Sequence, residues 1–297
     1  MPIVVNGTTL TDLKVGNTDI TKVYARNGIT GTYVLVFEKG GTVVVALYIG
    51  GNWKMNKTKA EIDSYFETFN AQLDLNEQKQ VVIFPPTCYL DYVKSKISAR
   101  LSGMVKVGAQ WISNEEQGAY TGQISAIMAK DCGCSTVMVG AGEVRQYLGI
   151  TNEDCSAQIQ RAISQGLDAW LNVGEPLEER EQGTANDYVI NQLATCLNGV
   201  TIDNIENHLI IVYEPLWAIG TGHYCTPEQA NEMAEVIKSK IADMYDMATA
   251  ENVPILFGGS VKPQNIQEIV GKPLLTGALA GGAAINPSTF VEMINII

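Results

Sequence analysis

Two rhythms of apolar and polar residues divide the chain. Up to about residue 42, segments rich in Thr, Val, Ile and Tyr, such as Ile20-Thr21-Lys22-Val23-Tyr24 and Thr32-Tyr33-Val34-Leu35-Val36-Phe37, are separated by turn dipeptides. Those turns are Asn6-Gly7, Gly16-Asn17 and Asn27-Gly28, and such pairs suit the φ > 0 corner of a short hairpin. The pattern predicts a small N-terminal β-meander module over residues 1–42, with Glu38-Lys39-Gly40-Gly41 as its linker. A segment this short buries little apolar surface alone. It is expected to dock on the rest of the chain, pair with a copy of itself, or stay partly mobile.

From about Thr42 short apolar runs alternate with longer segments of helical period. Residues 43–50, 81–84, 105–109, 136–139, 169–173, 209–213, 254–257 and 274–279 read as strands. Residues 59–73, 89–98, 153–165, 186–197, 227–248, 264–270 and 287–294 read as helices, with Pro227 and Pro287 each following a Thr or Asn cap. The strands are apolar without strict alternation, as in a sheet covered on both faces. Such β-then-α units over residues 43–297 fit the roughly 250 residues of an α/β (β/α)8 barrel, the TIM-barrel architecture. A doubly wound open sheet is the competing architecture, but no Gly-x-Gly-x-x-Gly follows the first strand.

The net charge of −12 argues against nucleic acid and against an anionic membrane surface as partners. It says less about a small anionic ligand, because local groups outweigh the global field. The six cysteines include no Cys-x-x-Cys pair and the chain has two histidines. No metal site and no cofactor are expected, and reduced thiols in a cytoplasmic protein fit this usage. The longest apolar run, residues 43–49, is too short to span a bilayer. The N-terminus lacks the basic-then-apolar pattern of a signal peptide.

Barrels carry their chemistry on the loops that follow strand ends. Residues 209–213 deliver Glu214, and Pro215 then stops the strand. Trp217-Ala218-Ile219 and Gly220-Thr221-Gly222 follow, a partly apolar segment between a proline and glycines, as in a loop that moves as a block. A carboxylate under such a lid is the arrangement of a base with a raised pKa, shielded from water. After the first strand, alternation points Asn52 and Lys54 the same way, toward the barrel mouth. Gly258-Gly259-Ser260 follows the seventh strand and Gly281-Gly282 the eighth. Glycines let backbone N–H groups approach an anion, a helix N-terminus adds its dipole, and barrels commonly bind phosphate on these two loops. A base facing an anion cradle defines a small phosphorylated substrate.

The segments Gly51-Asn52-Trp53-Lys54-Met55-Asn56, Ala119-Tyr120-Thr121-Gly122, Tyr213-Glu214-Pro215-Leu216-Trp217-Ala218-Ile219-Gly220-Thr221-Gly222, Gly258-Gly259-Ser260-Val261 and Gly277-Ala278-Leu279-Ala280-Gly281-Gly282-Ala283 resemble the triosephosphate isomerase family in order and spacing. The resemblance covers about residue 48 to the C-terminus. Residues 1–42 resemble, in composition and spacing only, short β-repeat segments of phage tail-associated proteins. The family resemblance implies that Glu214 moves protons between the two carbons of a triose phosphate. Lys54 would stabilise negative charge on the substrate and enediolate, and Asn52 would orient it. Gly220, Ser260, Gly281 and Gly282 would hold the phosphate, and Glu143 matches a glutamate near Lys54. The loop at 117–122 would pack into a neighbouring subunit with Thr121 near its site, implying a homodimer.

The fourth strand end departs from the family, which has Gly-His-Ser-Glu-Arg-Arg there. This chain has Gly140-Ala141-Gly142-Glu143-Val144-Arg145, so Ala141 holds the histidine position, and Gly142 and Val144 replace a serine and an arginine. Asn172 stands where a cysteine is usual and Trp111 where an asparagine often lies. Losing a preorganised donor to a developing oxyanion costs about 10²–10³ in rate, so a reduced isomerase is expected. Glu143 loses a charge partner; either Arg145 swings in, or Glu143 binds a proton or Lys54 differently. His223 is expected to point away from the reacting carbons and His208 to be capping or solvated. The alternative is a non-catalytic phosphate-ligand-binding or scaffold protein whose N-terminal module carries the biology.

Overall fold

The computed structural model describes residues 4–5, 8–9, 13–15, 18–20, 22–26, 33–38, 47–74, 79–219 and 221–297. Toward the N-terminus lie three antiparallel pairs: β1 (Val4–Val5) with β2 (Thr8–Thr9), β3 (Leu13–Val15) with β4 (Thr18–Ile20), and β5 (Lys22–Arg26) with β6 (Tyr33–Glu38). The registers Val5↔Thr8 and Val15↔Thr18 leave two-residue connections at the first and second hairpins, the length that suits Asn6-Gly7 and Gly16-Asn17. Those turn residues and the linker positions 39–41 lie outside the described residues. Among the described residues the expected meander takes the form of three separate two-stranded sheets.

Eight parallel strands then close into a barrel: β7 (Leu47–Asn52), β8 (Lys79–Phe84), β9 (Val105–Ala109), β10 (Thr136–Val139), β11 (Asp168–Val173), β12 (Leu209–Tyr213), β13 (Ile255–Gly259) and β14 (Gly277–Ala280). Helices join successive strands, giving the (β/α)8 architecture read from the sequence. Closure runs from Tyr48↔Gly277 to Gly51↔Ala280. At Gly277 a Cβ would stand 1.9 Å from the Tyr48 carbonyl oxygen, at φ +158, so the seam between first and last strands requires glycine.

Two apolar layers follow from strand alternation. Ile210 and Val212 of β12 join Phe84, Met138, Trp170 and Leu279 inside the barrel, whereas Leu209, Ile211 and Tyr213 pack outward against the helices. Trp170 meets Phe84 edge-on, with ring centroids 5.2 Å apart, filling the interior as aromatic pairs do. The same alternation carries Glu214 inward at the C-terminal end of β12.

The element boundaries differ from the sequence reading in instructive places. β7 continues to Asn52, so that side chain belongs to the strand; residues 43–46 of the predicted first strand lie outside the described residues. The helix predicted over 227–248 is broken into Pro227–Met244 and Met247–Asn252, where Asp246 caps a new helix by accepting the Thr249 N–H at 2.7 Å. Four short helices went unread: Ala126–Asp131, Gly142–Leu148, Leu177–Gln182 and Ile202–His208. Each has too few turns to display a clear apolar stripe.

Candidate active site

Glu214 leaves β12 with its backbone N–H donating to the Val173 carbonyl at 2.7 Å. Its side chain is buried. Oε2 accepts the N–H of Gly142, 2.9 Å away, at the N-terminus of helix Gly142–Leu148. Burial pushes the carboxyl up to about 7, with Glu143 adding repulsion, while the Gly142 N–H, Lys54 and Arg145 pull it down. Desolvation therefore outweighs the three favourable partners, and the group exchanges its proton near neutrality.

Lys54 adopts φ +51, a left-handed conformation that costs a lysine about 1–3 kcal/mol. Its neighbours hold it there. The Asn52 side-chain oxygen accepts the Lys54 N–H at 2.8 Å. Gln110 donates to the carbonyls of Lys54 and Phe84, each at 2.9 Å. The ammonium pairs with Glu143. Arg145 turns instead to the Gly140 carbonyl and Asn152, both at 2.7 Å. Of the alternatives left open by the lost arginine, Glu143 takes Lys54 as its partner.

Glu214, Lys54 and Asn52 share a cavity of about 460 Å³ with Ser260, Gly281 and Gly282. The apolar share of its wall comes from Ala218, Ile219 and Leu279. A carboxylate and an ammonium thus face two glycine-containing loops across one mouth. Glu143 reaches this group through Lys54. Thr121 is exposed on its loop and does not line the cavity. Gly220 lies outside the described residues.

Ala141 is buried in the barrel's inner apolar cluster, with Val144 packed against it, and does not line the cavity. His223, expected to point away, is exposed yet lines the cavity beside Gly222 and Tyr224. His208 ends its helix and lies 3.1 Å from Asp168. Among the described residues no group of three or more His, Cys, Asp or Glu side chains is placed to hold a metal ion. The six cysteines are free thiols.

One set of residues escaped the sequence reading. Glu175, fully buried after β11, accepts the Tyr213 hydroxyl at 3.0 Å and the Trp217 indole N–H at 2.7 Å, and pairs with Arg180 at 3.3 Å. It ties the start of the segment after Glu214 to the neighbouring strand end. The signal was present: Glu175-Pro176 repeats the Glu214-Pro215 pair at the preceding strand end.

Fold and cavity define a class: a (β/α)8 barrel with a carboxylate, an ammonium and glycine-containing loops gathered where its strands end. The family model described as triosephosphate isomerase matches residues 47–297. Proteins named triosephosphate isomerase from Dictyoglomus thermophilum and Trichodesmium erythraeum are 42% and 39% identical over 246 and 248 residues, each match covering 83% of this chain and 97% of the relative. A third, from Thermoanaerobacter pseudethanolicus, is 40% identical over 83% of this chain and 98% of its own length. The chain belongs to the triosephosphate isomerase family.

Proposed function

We propose that the chain interconverts D-glyceraldehyde 3-phosphate and dihydroxyacetone phosphate, at a rate reduced by the loss of a donor at Ala141. The observation that carries the reading is the convergence of Glu214, Lys54, Asn52, Ser260, Gly281 and Gly282 on one cavity. Glu214 takes the proton from the carbon beside the carbonyl, leaving an enediolate, and returns it to the adjacent carbon. Lys54, held by Glu143 and by the Asn52 side chain, stabilises the charge that develops on oxygen. Gly220, Ser260, Gly281 and Gly282 hold the phosphate. The reaction also moves a proton between the two oxygens, and Ala141 offers no group for that step. Water is left to serve, at a cost of about 10²–10³ in rate.

The reading includes a cytoplasmic homodimer built through residues 117–122, with Thr121 near the second site. The exposed Met55, Tyr120, Tyr147 and Leu148 support it, being apolar surface of the kind a second copy covers. No described helix is long and apolar enough to cross a membrane.

A non-catalytic phosphate-ligand-binding or scaffold role is favoured by one feature, the apolar fourth strand end at Ala141 and Val144. A coupled assay of purified protein, with Glu214→Gln to exclude contaminating isomerase, separates the two. Slow turnover abolished by Glu214→Gln is expected, and Ala141→His should raise it at least about tenfold. No gain from Ala141→His, together with no binding of a phosphorylated enediolate mimic, would favour the scaffold reading instead.

A further inference from the structure

Two thiols meet away from the Glu214 cavity. Cys155 lies near the start of helix Asn152–Ser164, and Cys196 is the last residue of helix Ala185–Cys196. The two helices pack on each other and on β11. Both cysteines are fully buried, and their side chains share a hydrogen bond. Arg145 reaches the same place from the end of β10, with Nη2 3.8 Å from Cys196 Sγ. A Cβ on Gly140 would stand 2.6 Å from that nitrogen and 2.9 Å from Cys155 Sγ, so the guanidinium and both sulfurs crowd together behind Gly140. Asn152 Oδ1 accepts Arg145 Nη1 at 2.7 Å, and as a thiol Cys196 donates to the same oxygen at 3.6 Å. Neither sulfur lines the cavity, and the isomerisation proposed above uses neither.

We propose that Cys196 and Cys155 are a peroxide-reactive pair: the Cys196 sulfur attacks a hydroperoxide, and Cys155 resolves the product into a disulfide joining the two helices. The surroundings favour Cys196 as the attacking sulfur. The hydrogen bond from Cys155, helped by the Arg145 guanidinium, holds the Cys196 thiol below its ordinary range against the pull of burial and of Glu153. The same bond and its own burial push Cys155 up. The thiolate is the nucleophile, and it arises beside cations and donors. With hydrogen peroxide, an S–O bond forms at Cys196 as the O–O bond breaks, and the departing hydroxide takes a proton to become water. The Cys155 sulfur then displaces the oxygen of the sulfenic acid, which leaves as a second water while the S–S bond forms. The two cysteines give up two electrons and two protons, and the peroxide takes both. Access comes from the helix end. Cys196 closes its helix just before the exposed pair Asn198-Gly199, with Gly199 at φ +77, and helix ends open first.

Burial alone predicts the opposite order of reactivity, with the exposed Cys88 oxidised first and the buried pair inert. The test treats the native full chain with limiting hydrogen peroxide, alkylates the remaining thiols and maps the peptides by mass. A peptide joining Cys155 to Cys196 is expected to form at least about tenfold faster than Cys88 is lost. In Cys155→Ala the sulfenic acid should persist and be captured by dimedone at Cys196. In Cys196→Ala both the cross-link and any adduct at Cys155 should be absent. Melting curves check that each variant is folded, and the wild-type map decides the matter even where a variant is not. Oxidation of Cys88 ahead of the pair, a cross-link that forms only in urea, or capture at Cys155 instead of Cys196 would overturn the proposal.

Discussion

Glu214 keeps its proton near neutrality because the barrel mouth withholds water from it, more than because Glu143 repels it. The same burial sets a stability sign. The carboxyl's ordinary value is 4.5 and the fold raises it to about 7, so the folded state favours the protonated form. That contribution is fully present below about pH 4.5 and is lost as the pH rises to about 7. Above it the ionised carboxylate is a net cost of roughly 3 kcal/mol. Glu214→Gln is therefore expected to melt above the wild type at about pH 8 and to converge with it by about pH 5. Calorimetry at both values checks this, and a difference independent of pH would contradict it. At this scale the sequence was informative where alternation applies, as for Asn52 and Glu214; Lys54 lines the same cavity but lies beyond the end of β7 at φ +51, where alternation no longer applies. The sequence was silent on the left-handed backbone of Lys54, because lysine has no preference for it and the groups that hold it, Asn52 and Gln110, act through folded contacts.

Among elements, the turn after β12 is anchored by Trp217, beside Tyr213 at the end of the strand. Tyr213 and Trp217 both donate to the buried Glu175, and the Arg180 guanidinium lies 5.0 Å from the Trp217 ring. Trp217→Phe removes one donor to a buried carboxylate, a loss of about 1–3 kcal/mol. The expected outcome is a melting temperature lower by roughly 2–6 °C, with faster amide exchange across residues 215–224. Unchanged exchange there would show that Glu175 does not restrain the segment. Strands were readable as continuous apolar runs because helices cover them on the outside and side chains fill the inside. Short helices were not, since a helix such as Leu177–Gln182 carries no buried residue of its own. The break at Tyr245 was readable in principle from Asp246 and Thr249, an Asp cap with the N–H donor it accepts three residues on.

For the whole molecule, the family model matches residues 47–297, and the match to the Dictyoglomus thermophilum relative covers 97% of that protein. The family match therefore leaves residues 1–42 outside it, and those residues were readable in sequence only through their turn dipeptides and the Thr-, Val-, Ile- and Tyr-rich segments between them. Removing them is expected to leave the melting temperature within about 2 °C and kcat/KM within about twofold. A large fall in either would show that the module supports the barrel. Sedimentation of both forms tests the dimer: the truncated chain should remain two-fold associated, and a monomer would place the contact in residues 1–42 instead of 117–122.

Glu214 is proposed to remove a carbon-bound proton from a triose phosphate held in this cavity. Deuterium incorporation beside the carbonyl of dihydroxyacetone phosphate in heavy water, followed by NMR, tests it most directly. Incorporation by the wild type is expected to weaken below about pH 7 and to be absent in Glu214→Gln. Equal incorporation by both proteins, or none by either, would contradict it.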